Sequence, residues 1–314
     1  MSEEPQEGLV VHKSSRNVRV RTPEKTWLCS LRGKFRSRGS GGLPVVVGDR
    51  VAFRPTAEAE GVLEEILPRK SELRRARSAS GRSRRGGRQE EKVIAANMDQ
   101  VLCVLAARAP EPRWGLADRV LIASRLDEVD PGICVNKWDQ VEDDMEAASE
   151  LEETMDLYRR LGYPVHRASA LHGRDCEELE RWLRDKVTVL SGHSGVGKST
   201  LLNALSPGED VPTREVSEST GKGRHMTTAA TLYELPEGGF LVDTPGYREY
   251  GLLDLDAPTL GLYYVEFEPH VSACRYKDCL HVREPACAVL AAKARGEISE
   301  FRYQNYTRIL ATLT

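Results

Sequence analysis

The sequence predicts a multidomain fold in which an N-terminal β-barrel precedes a central α/β domain and a small α-helical C-terminal domain. Three patterns support this. Short strand-like runs separated by Gly, Pro or Ser fill residues 8–68, strands alternate with helices after residue 94, and Cys and His cluster after residue 270. A chain of 314 residues is long enough for two or three domains. We place the domains at 1–72, 92–253 and 254–314, with a linker at 73–91.

Five short runs of alternating or β-branched residues predict the barrel. Five strands in about 60 residues are typical of an OB-fold, although the sequence alone leaves an SH3-like barrel open. OB-folds often bind RNA or other single-stranded nucleic acid. The runs are Leu9–Val11, Val18–Arg21, Trp27–Arg32, Arg50–Phe53 and Val62–Ile66.

Positive charge is concentrated in the N-terminal third, although the formal net charge of the chain is -3. Residues 11–50 contain ten Lys or Arg and two acidic residues, and residues 70–88 contain eight Lys or Arg and one acidic residue. The second stretch is rich in Arg, Ser and Gly, which predicts a mobile linker. Two basic stretches so close together favour a polyanion partner, most simply nucleic acid, over an unevenly charged solvated surface.

The region after residue 94 alternates strands with helices, which predicts a buried parallel sheet. The predicted strands are Met98–Ala106, Ile133–Val135, Val165–Ala168, Val187–Leu190, Thr228–Tyr233 and Phe240–Val242. The predicted helices are Leu116–Val129, Glu142–Leu161, Glu177–Asp185, one that starts at Lys198, and two near Cys287–Arg295 and Ile298–Leu313.

The strongest motif is GxxxxGKS, a phosphate-binding loop at residues 192–199 between a predicted strand and a predicted helix. Glycines let backbone N–H groups surround phosphate oxygens, and the helix N-terminus adds partial positive charge. We expect Lys198 to contact the β- and γ-phosphates and to act in catalysis, and Ser199 to bind Mg²⁺. The expected nucleotide contacts are Gly192, His193, Ser194, Gly195, Val196, Gly197, Lys198, Ser199 and Thr200.

A second motif, DTPG, begins at Asp243 directly after the predicted strand Phe240–Val242. An Asp at such a strand end can hold Mg²⁺, usually through water, and the N–H of Gly246 can donate to the γ-phosphate. The motif is short and recurs by chance in proteins. Its position at a strand end, 44 residues after Ser199, supports the functional interpretation.

Two further segments predict that the base is guanine. Asn136-Lys137-Trp138-Asp139 follows a predicted strand, and Ser169-Ala170-Leu171 follows the next one. The carboxylate of Asp139 can accept from guanine N1–H and N2–H₂, a pairing that adenine cannot offer. We expect Asn136 to brace the loop and face guanine N7, Lys137 to lie over the ring, and the segment at Ser169 and Ala170 to donate a backbone N–H to O6. NKxD alone could be a helix start with a solvated Lys.

The order of the motifs is permuted relative to a Ras-like GTPase, because NKWD and SAL precede the phosphate loop. The segment 221–228 between the phosphate loop and DTPG is polar and Gly-rich, as expected of a mobile switch. Thr227 would complete Mg²⁺ coordination there. Tyr247 stands where Ras-type enzymes place a water-orienting Gln, so His225 is the nearest candidate for that role. The alternative for His225 is local packing or hydrogen bonding.

The cysteine pattern predicts a metal site rather than disulfides. Three Cys and one His within 14 residues form a tetrahedral set suited to one structural Zn²⁺, although a chance cluster of buried thiols is the alternative. The N-terminus lacks a signal-peptide core, and no apolar run approaches the ~20 residues of a membrane span, so we expect a cytoplasmic protein. The expected zinc ligands are Cys274, Cys279, His281 and Cys287.

Taken together, these residues resemble the RsgA (YjeQ) family of circularly permuted GTPases of small ribosomal subunit biogenesis. The similarity covers nearly the whole chain. It includes LPRKSELRR (67–75), IAANMDQVLCV (94–104), NKWD, GHSGVGKSTLLNAL (192–205), GKGRHMTT (221–228), VDTPGYREYGL (242–252) and the Cys/His cluster.

The resemblance implies an OB-fold, a permuted GTPase domain and a zinc domain that act late in maturation of the small (30S) subunit, which stimulates hydrolysis. It implies the roles given above for Asn136, Asp139, Lys198 and Ser199, and for the four zinc ligands. His225 matches the family's switch histidine, which is implicated in hydrolysis. The family reads His-Thr-Thr-Thr there, whereas this chain has Met226 at the first Thr, and Thr227 keeps the position assigned to Mg²⁺.

Two hypotheses from different classes follow. The first is a GTPase that uses GTP/GDP, Mg²⁺ and one Zn²⁺, binds the 30S subunit and its rRNA, and works as a monomer away from membranes. The second is an RNA-binding module whose nucleotide site is vestigial, regulatory or slow. The intact phosphate loop, the Mg²⁺-binding Ser199 and NKxD favour the first.

Overall fold

The computed structural model describes residues 4–32, 35, 44–76, 91–207, 230–243 and 255–313. The chain divides into two compact units, each built from segments distant in sequence. The first unit comprises Met1–Leu102, Ala170–Leu190 and Lys198–Arg248, and the second comprises Cys103–Ser169, Ser191–Gly197 and Glu249–Thr314.

The N-terminal part of the first unit is a closed five-stranded barrel. The strands follow the order β1-β2-β3-β5-β4, and β1 also pairs with β4 and closes the barrel. The β3–β5 pair is parallel and the other pairs are antiparallel. This order confirms the prediction of an OB-like barrel. The strands are β1 (Gln6–Lys13), β2 (Asn17–Arg21), β3 (Thr26–Ser30), β4 (Arg50–Ala57) and β5 (Glu60–Ile66).

Alternation of side chains along the strands builds the core of the barrel. In β2 and β3 every second residue is buried, which places Val18, Val20, Trp27 and Cys29 inside while their neighbours face outward. The rings of Trp27 and Phe53 pack with centroids 5.3 Å apart. The period-two pattern that predicted the strands is therefore also the pattern that fills the barrel.

A hairpin of β6 (Glu72–Ala76) and β7 (Glu91–Ala96) lies at the two ends of the linker predicted over 73–91. Residues 77–90, most of the Arg-rich stretch, lie outside the described residues. Composition did not predict these strands, because antiparallel pairing across a gap in sequence is not visible in a run of charged residues. Arg69 supports the region through a buried ion pair with Asp49, with Nε–Oδ1 at 2.7 Å.

The first unit also contains a mixed sheet of β11 (Val187–Ser191), β12 (Thr231–Glu234) and β13 (Phe240–Asp243). β11 and β13 are parallel, as predicted, whereas β12 runs antiparallel to β13 and to β1. The expectation of a parallel sheet is therefore wrong for β12. The reason is the short connection between β12 and β13, which turns through Gly238 and Gly239 at positive φ, because parallel neighbours need a crossover of about a dozen residues.

The second unit contains β9 (Asp130–Asn136), β10 (Val165–Ala168) and the end of β8 (Gln100–Ala106), with helices α1 (Trp114–Leu126) and α2 (Met145–Arg160). β9 and β10 are parallel. The backbone N–H of Ala107 donates to the carbonyl of Asn136 at 2.8 Å. The predicted elements are present, with ends that differ by a few residues from those expected.

The remaining helices are α3 (Glu177–Leu183) and α4 (Lys198–Leu205) in the first unit, and α5 (Glu268–Val271), α6 (Ala288–Ala294) and α7 (Glu300–Leu310) in the second. A 3₁₀ segment, Ala257–Tyr263, precedes α5. Helix α7 packs against α1. None of the helices in these described ranges is long and apolar enough to cross a membrane.

Buried charge joins α1 to α7 within the second unit. Arg302 is 2% exposed and forms ion pairs with the fully buried Asp118 and with Glu266, the latter with Nε–Oε1 at 2.7 Å. The hydroxyl of Tyr158 donates to Asp118 at 2.6 Å. Because the paired charges satisfy one another, removing one partner would leave an uncompensated buried charge.

Candidate nucleotide site and metal centre

The two segments predicted to recognise guanine leave neighbouring strands at the same edge. Ala168, the last residue of β10, is in register with Asn136, the last residue of β9. Because the strands are parallel, the segments 136–139 and 169–171 both start at the carboxyl end of the sheet. Ligands in open α/β sheets bind at this edge. The Ser169 hydroxyl is fully buried and has no hydrogen-bond partner among the described residues, so it can serve a polar ligand.

The side chain of Asn136 ties the guanine motif to the phosphate loop. Its Nδ2 donates to the carbonyl of Val196 at 3.0 Å and lies 3.4 Å from that of Gly197. Asn136 is 1% exposed, so these bonds are shielded from water. Two motifs that lie about sixty residues apart in sequence are thus joined directly.

Glycine is required at two positions of the phosphate loop. Gly192 has φ +143° and Gly197 has φ +91°, in the left-handed region where side chains are strained. A Cβ on Gly192 would overlap the carbonyl oxygen of Val104, and a Cβ on Gly197 would overlap Nδ2 of Asn136. The loop is therefore packed closely from beneath, which fits the cradle that backbone N–H groups form around phosphate oxygens.

The phosphate loop leads from β11 into α4, whose first residues are Lys198, Ser199 and Thr200. These residues lie at the positive end of the helix dipole. Asp243 ends β13 and follows Val242, which is in register with Val189 of β11. Hydroxyl and carboxylate oxygens such as those of Ser199 and Asp243 are hard ligands of the kind that suits Mg²⁺.

The short segment after β8 supports the guanine motif, and sequence reasoning missed it. Lys137 adopts a left-handed conformation with φ +61°, and its Nζ donates to the carbonyl of Ala109. Arg108 donates to the carbonyl of Gln140 at 3.1 Å, and the N–H of Ala109 donates to Gln140 Oε1 at 3.2 Å. Partial burial lowers the pKa of Lys137, although the nearby Asp139 raises it in part. The only sequence signal that could have identified this segment was its position directly after the end of a strand.

Several predicted site residues lie outside the described residues. These are the switch residues His225 and Thr227, together with Gly246 of DTPG; Met226 and Tyr247 lie there as well.

The four predicted zinc ligands come together in the second unit. Their ligand atoms all lie within 4.8 Å of one another. Sγ of Cys274 lies 3.8 Å from Sγ of Cys287 and 3.6 Å from Nδ1 of His281, and Nδ1 lies 3.4 Å from Sγ of Cys287. A tetrahedral Zn²⁺ with Zn–S bonds of about 2.3 Å has ligand–ligand edges of about 3.7 Å. The donor set and its spacing therefore fit a structural zinc.

Neighbouring residues hold the metal ligands in place. The hydroxyl of Tyr303 donates to the His281 carbonyl at 2.8 Å, and that of Tyr306 donates to the Leu280 carbonyl at 2.9 Å. Gly261 lies so close to the imidazole that a Cβ there would sit 2.8 Å from Nε2 of His281. The ring is therefore fixed with Nδ1 toward the thiols.

A carboxylate organises the loop between the ligands. Glu284 accepts from the backbone N–H groups of Leu280 at 2.8 Å, Val282 at 2.9 Å and Arg283 at 3.0 Å. Although burial alone would raise the pKa of Glu284, these donors lower it to about 2. The ionised carboxylate thus holds the turn that contains His281.

The protonation of these side chains would depend on a bound cation. Burial raises the pKa of the Cys279 and Cys287 thiols and lowers that of His281. A neutral imidazole is ready to bind a metal, whereas the thiols must lose protons. A divalent cation supplies the positive charge that makes thiolates favourable in such a pocket.

Comparison with known families identifies matches along most of the chain. The family model described as RsgA GTPase matches residues 66–253, and the one described as RsgA N-terminal domain matches residues 7–63. A relative from Gemmatimonas aurantiaca, named small ribosomal subunit biogenesis GTPase RsgA, is 39% identical over 96% of this chain and 95% of its own. A Thermotoga maritima protein of the same name is 38% identical over 98% and 96%.

Solved structures agree with these matches. The crystal structure of YjeQ from Thermotoga maritima superposes with a TM-score of 0.76 and 35% identity, covering 99% of each chain. YloQ, described as a circularly permuted GTPase, superposes with a TM-score of 0.73 and 29% identity, covering 99% of this chain and 95% of its own. The permuted motif order is thus shared with a solved structure.

Proposed function

The chain belongs to the RsgA family of GTPases, and on that premise we propose that it hydrolyses GTP to GDP and phosphate on the small (30S) ribosomal subunit, late in its maturation. The subunit would stimulate hydrolysis. The observation that carries the nucleotide part is the pair of contacts from Asn136 to Val196 and Gly197, which joins the guanine and phosphate segments. The names of the curated relatives support the ribosomal part.

In the proposed site, recognition of guanine is separated from contact with the phosphates. Asp139 would accept from the guanine edge, and the buried hydroxyl of Ser169, which has no hydrogen-bond partner in the described part of the chain, is free for a polar contact with the base. Ala170 would offer its backbone N–H to guanine O6, and Lys137 would lie along the ring. Losing such a paired polar contact costs far more than losing an apolar one, which is how this site would reject adenine.

The residues around the phosphates would neutralise the negative charge that develops during phosphoryl transfer. Lys198, at the start of α4, would contact the β- and γ-phosphates, and the backbone of residues 192–197 would surround the phosphate oxygens. Ser199, Thr227 and Asp243 would hold Mg²⁺, which supplies charge neutralisation when bound. Gly246 would donate to the γ-phosphate.

Hydrolysis would depend on the switch segment. The position next to DTPG is Tyr247 rather than Gln, so His225 is proposed to orient the attacking water. Positioning is most of what a protein can contribute to phosphoryl transfer. Docking on rRNA would bring this segment into its active arrangement, which explains why the subunit would stimulate the reaction.

The zinc domain and the barrel would serve the ribosomal partner. One Zn²⁺ held by the Cys/His cluster would stabilise the C-terminal domain without taking part in chemistry, because the protein fills all four positions. The basic N-terminal third would supply affinity for rRNA. We propose that the protein acts as a cytoplasmic monomer.

A turnover assay with and without 30S subunits tests the proposal against a module that only binds RNA. Slow hydrolysis of GTP by the free protein, a marked acceleration by subunits and no use of ATP are expected. His225→Ala should keep GTP affinity and subunit binding while it loses most of the stimulated rate. Absence of turnover in both conditions would favour the vestigial site, and a free rate equal to the stimulated one would refute the gating role of the subunit.

A further inference from the structure

A cavity of about 540 Å³ lies at the start of α1, next to α7, within the second unit. Three arginines, two aromatic side chains and one amide line much of it, and none of them belongs to the nucleotide or metal residues described above. These residues are Arg113, Arg119, Arg308, Trp114, Phe301 and Asn305.

The three arginines carry positive charge that no acidic residue among those described pairs with. Arg119 bonds to the Thr312 hydroxyl at 2.8 Å, and Arg308 lies 3.5 Å from Oδ1 of Asn305. Within the described ranges neither of them, nor Arg113, forms an ion pair. Other arginines of the same unit do so, among them Arg125 with Glu268 at 3.1 Å and Arg295 with Glu297 at 2.6 Å. Excess arginine around one cavity points to an anionic ligand.

The start of α1 adds a second source of positive potential. Arg113 occupies the N-cap position, no side chain caps the helix, and the first turn holds no acidic residue. Helix α2 differs, because Asp144 caps it by accepting from the N–H of Ala147 and Glu146 lies in its first turn. An anion would complement the uncapped start of this 13-residue helix.

A buried amide, that of Asn305, also lines the cavity. Asn305 is 2% exposed, and its Nδ2 makes no hydrogen bond within the described ranges. The amide lies close to Asp118 without reaching it in normal hydrogen-bond geometry. Its Nδ2 is therefore directed at that carboxylate, and the positive potential that favours an anion comes from the three arginines and the helix start.

We propose that this arginine cavity (Arg113, Arg119, Arg308 and Asn305) binds a backbone phosphate group of RNA. Arginine matches phosphate geometry with paired N–H groups, and the cavity is larger than a single phosphate ion requires. Phe301 offers an aromatic surface beside the charges, which suits a nucleotide better than a bare ion. The choice of RNA as the source of the phosphate rests on the proposed action on a ribosomal subunit.

The test compares the full-length wild type with Arg113→Gln/Arg308→Gln and with a matched control, Arg125→Gln/Arg295→Gln. Binding to 30S subunits and to a fluorescent single-stranded RNA is measured at several salt concentrations. The cavity variant should lose about tenfold or more in affinity, and its slope of log K against log salt should fall by about 1 to 2, since each lost phosphate contact contributes about 0.7. The control should bind like wild type.

Thermal unfolding, zinc content and GTP affinity should be unchanged in both variants, which excludes a folding defect. Arg113→Lys/Arg308→Lys should keep the salt slope but recover only part of the affinity, because lysine lacks the paired N–H geometry. If the cavity variant binds RNA and subunits as tightly as wild type, with the same slope, the inference is wrong while the proposed function stands.

Two further outcomes separate the inference from the proposed function. If wild type does not bind subunits, yet RNA affinity still depends on the arginines, the proposed partner is wrong and the cavity assignment stands. Inorganic phosphate is then titrated as a competitor of RNA. Complete competition below about 1 mM phosphate, far tighter than non-specific screening allows, would identify a free-phosphate site and overturn the assignment to RNA.

Discussion

The nucleotide site and the metal centre are assembled in opposite ways. The nucleotide segments stretch from Asn136 to Asp243 along the chain, and each follows a strand in fixed register with a parallel neighbour, β9 with β10 in the second unit and β11 with β13 in the first. The metal ligands come from 14 consecutive residues, and their loop contains little regular structure apart from the helix that starts after Cys287. The first arrangement therefore depends on strand pairing, whereas the second would depend on the ion that its ligand set fits.

This difference explains how the chain order of the motifs can be permuted. A parallel sheet places strand ends at one edge whatever the order in which the strands are connected, so NKWD can precede the phosphate loop. A local metal loop has no such freedom, because its spacing sets the geometry of the ligands. The four experiments that follow challenge this contrast, in order of decreasing expected effect.

Removal of zinc should have the largest effect on stability, and that effect should be confined to the C-terminal part of the chain. Purified protein should contain about one Zn per chain, and a strong chelator should destabilise residues 255–313 by several kcal/mol. Elemental analysis and hydrogen exchange measure the two effects. GTP affinity should change by less than about threefold, which is under 1 kcal/mol. Full stability in chelator would refute the metal assignment, and loss of GTP binding would show that the two sites are not independent.

Arg302→Met tests whether the buried ion pairs hold α7 to α1 in the second unit. The substitution leaves Asp118 of α1 and Glu266 buried without their cation, so unfolding free energy should fall by about 3–5 kcal/mol. Arg295→Met is the matched control, since its exposed pair with Glu297 should contribute less than about 1 kcal/mol. Denaturant titration measures both. Equal losses in the two variants would mean that the buried network does not hold α7 to α1.

Asp139→Asn should change the base that the distributed site recognises. GTP affinity should fall on the order of 100-fold, and xanthosine triphosphate should bind better than GTP, because the amide can donate to O2 of xanthine. Asp143→Asn, an exposed acid in the same loop, is the control and should bind GTP normally. Titrations with GTP, xanthosine triphosphate and ATP measure these affinities for the wild type and both variants. Equal affinity of the wild type for ATP and GTP would rule out guanine recognition by this residue.

Gly197→Ala should have the smallest effect of the four and should be specific to the nucleotide site. The new Cβ would overlap Nδ2 of Asn136, whereas Gly162→Ala, also at positive φ, meets nothing within 4 Å. Both variants should lose roughly 1 kcal/mol of stability to backbone strain, but only Gly197→Ala should also weaken GTP binding. Equal GTP affinity in the two variants would show that the Asn136 contact does not position the loop.

Features with short, regular spacing were predictable. The barrel strands, most central elements and the zinc ligands follow from patterns local in the chain, and the structure confirms the barrel and the Cys/His cluster. Functional roles for the nucleotide residues remain predictions. His225, Thr227 and Gly246 lie outside the described residues. The direction of β12 could have been inferred from the short Gly-containing turn at Gly238 and Gly239.

The sequence by itself determined the family and the ligands to be expected. Motif identity and spacing predict phosphate, guanine and zinc as ligands, because each ligand demands particular atoms at particular separations. Tertiary structure alone decided which distant groups meet. It pairs β6 with β7, joins Asn136 to Gly197 and buries Arg302 against Asp118. It also places Arg113 and Arg308 around one cavity with no acidic partner in the part of the chain that the structure describes. These outcomes depend on packing between elements far apart in the chain, which no local pattern records.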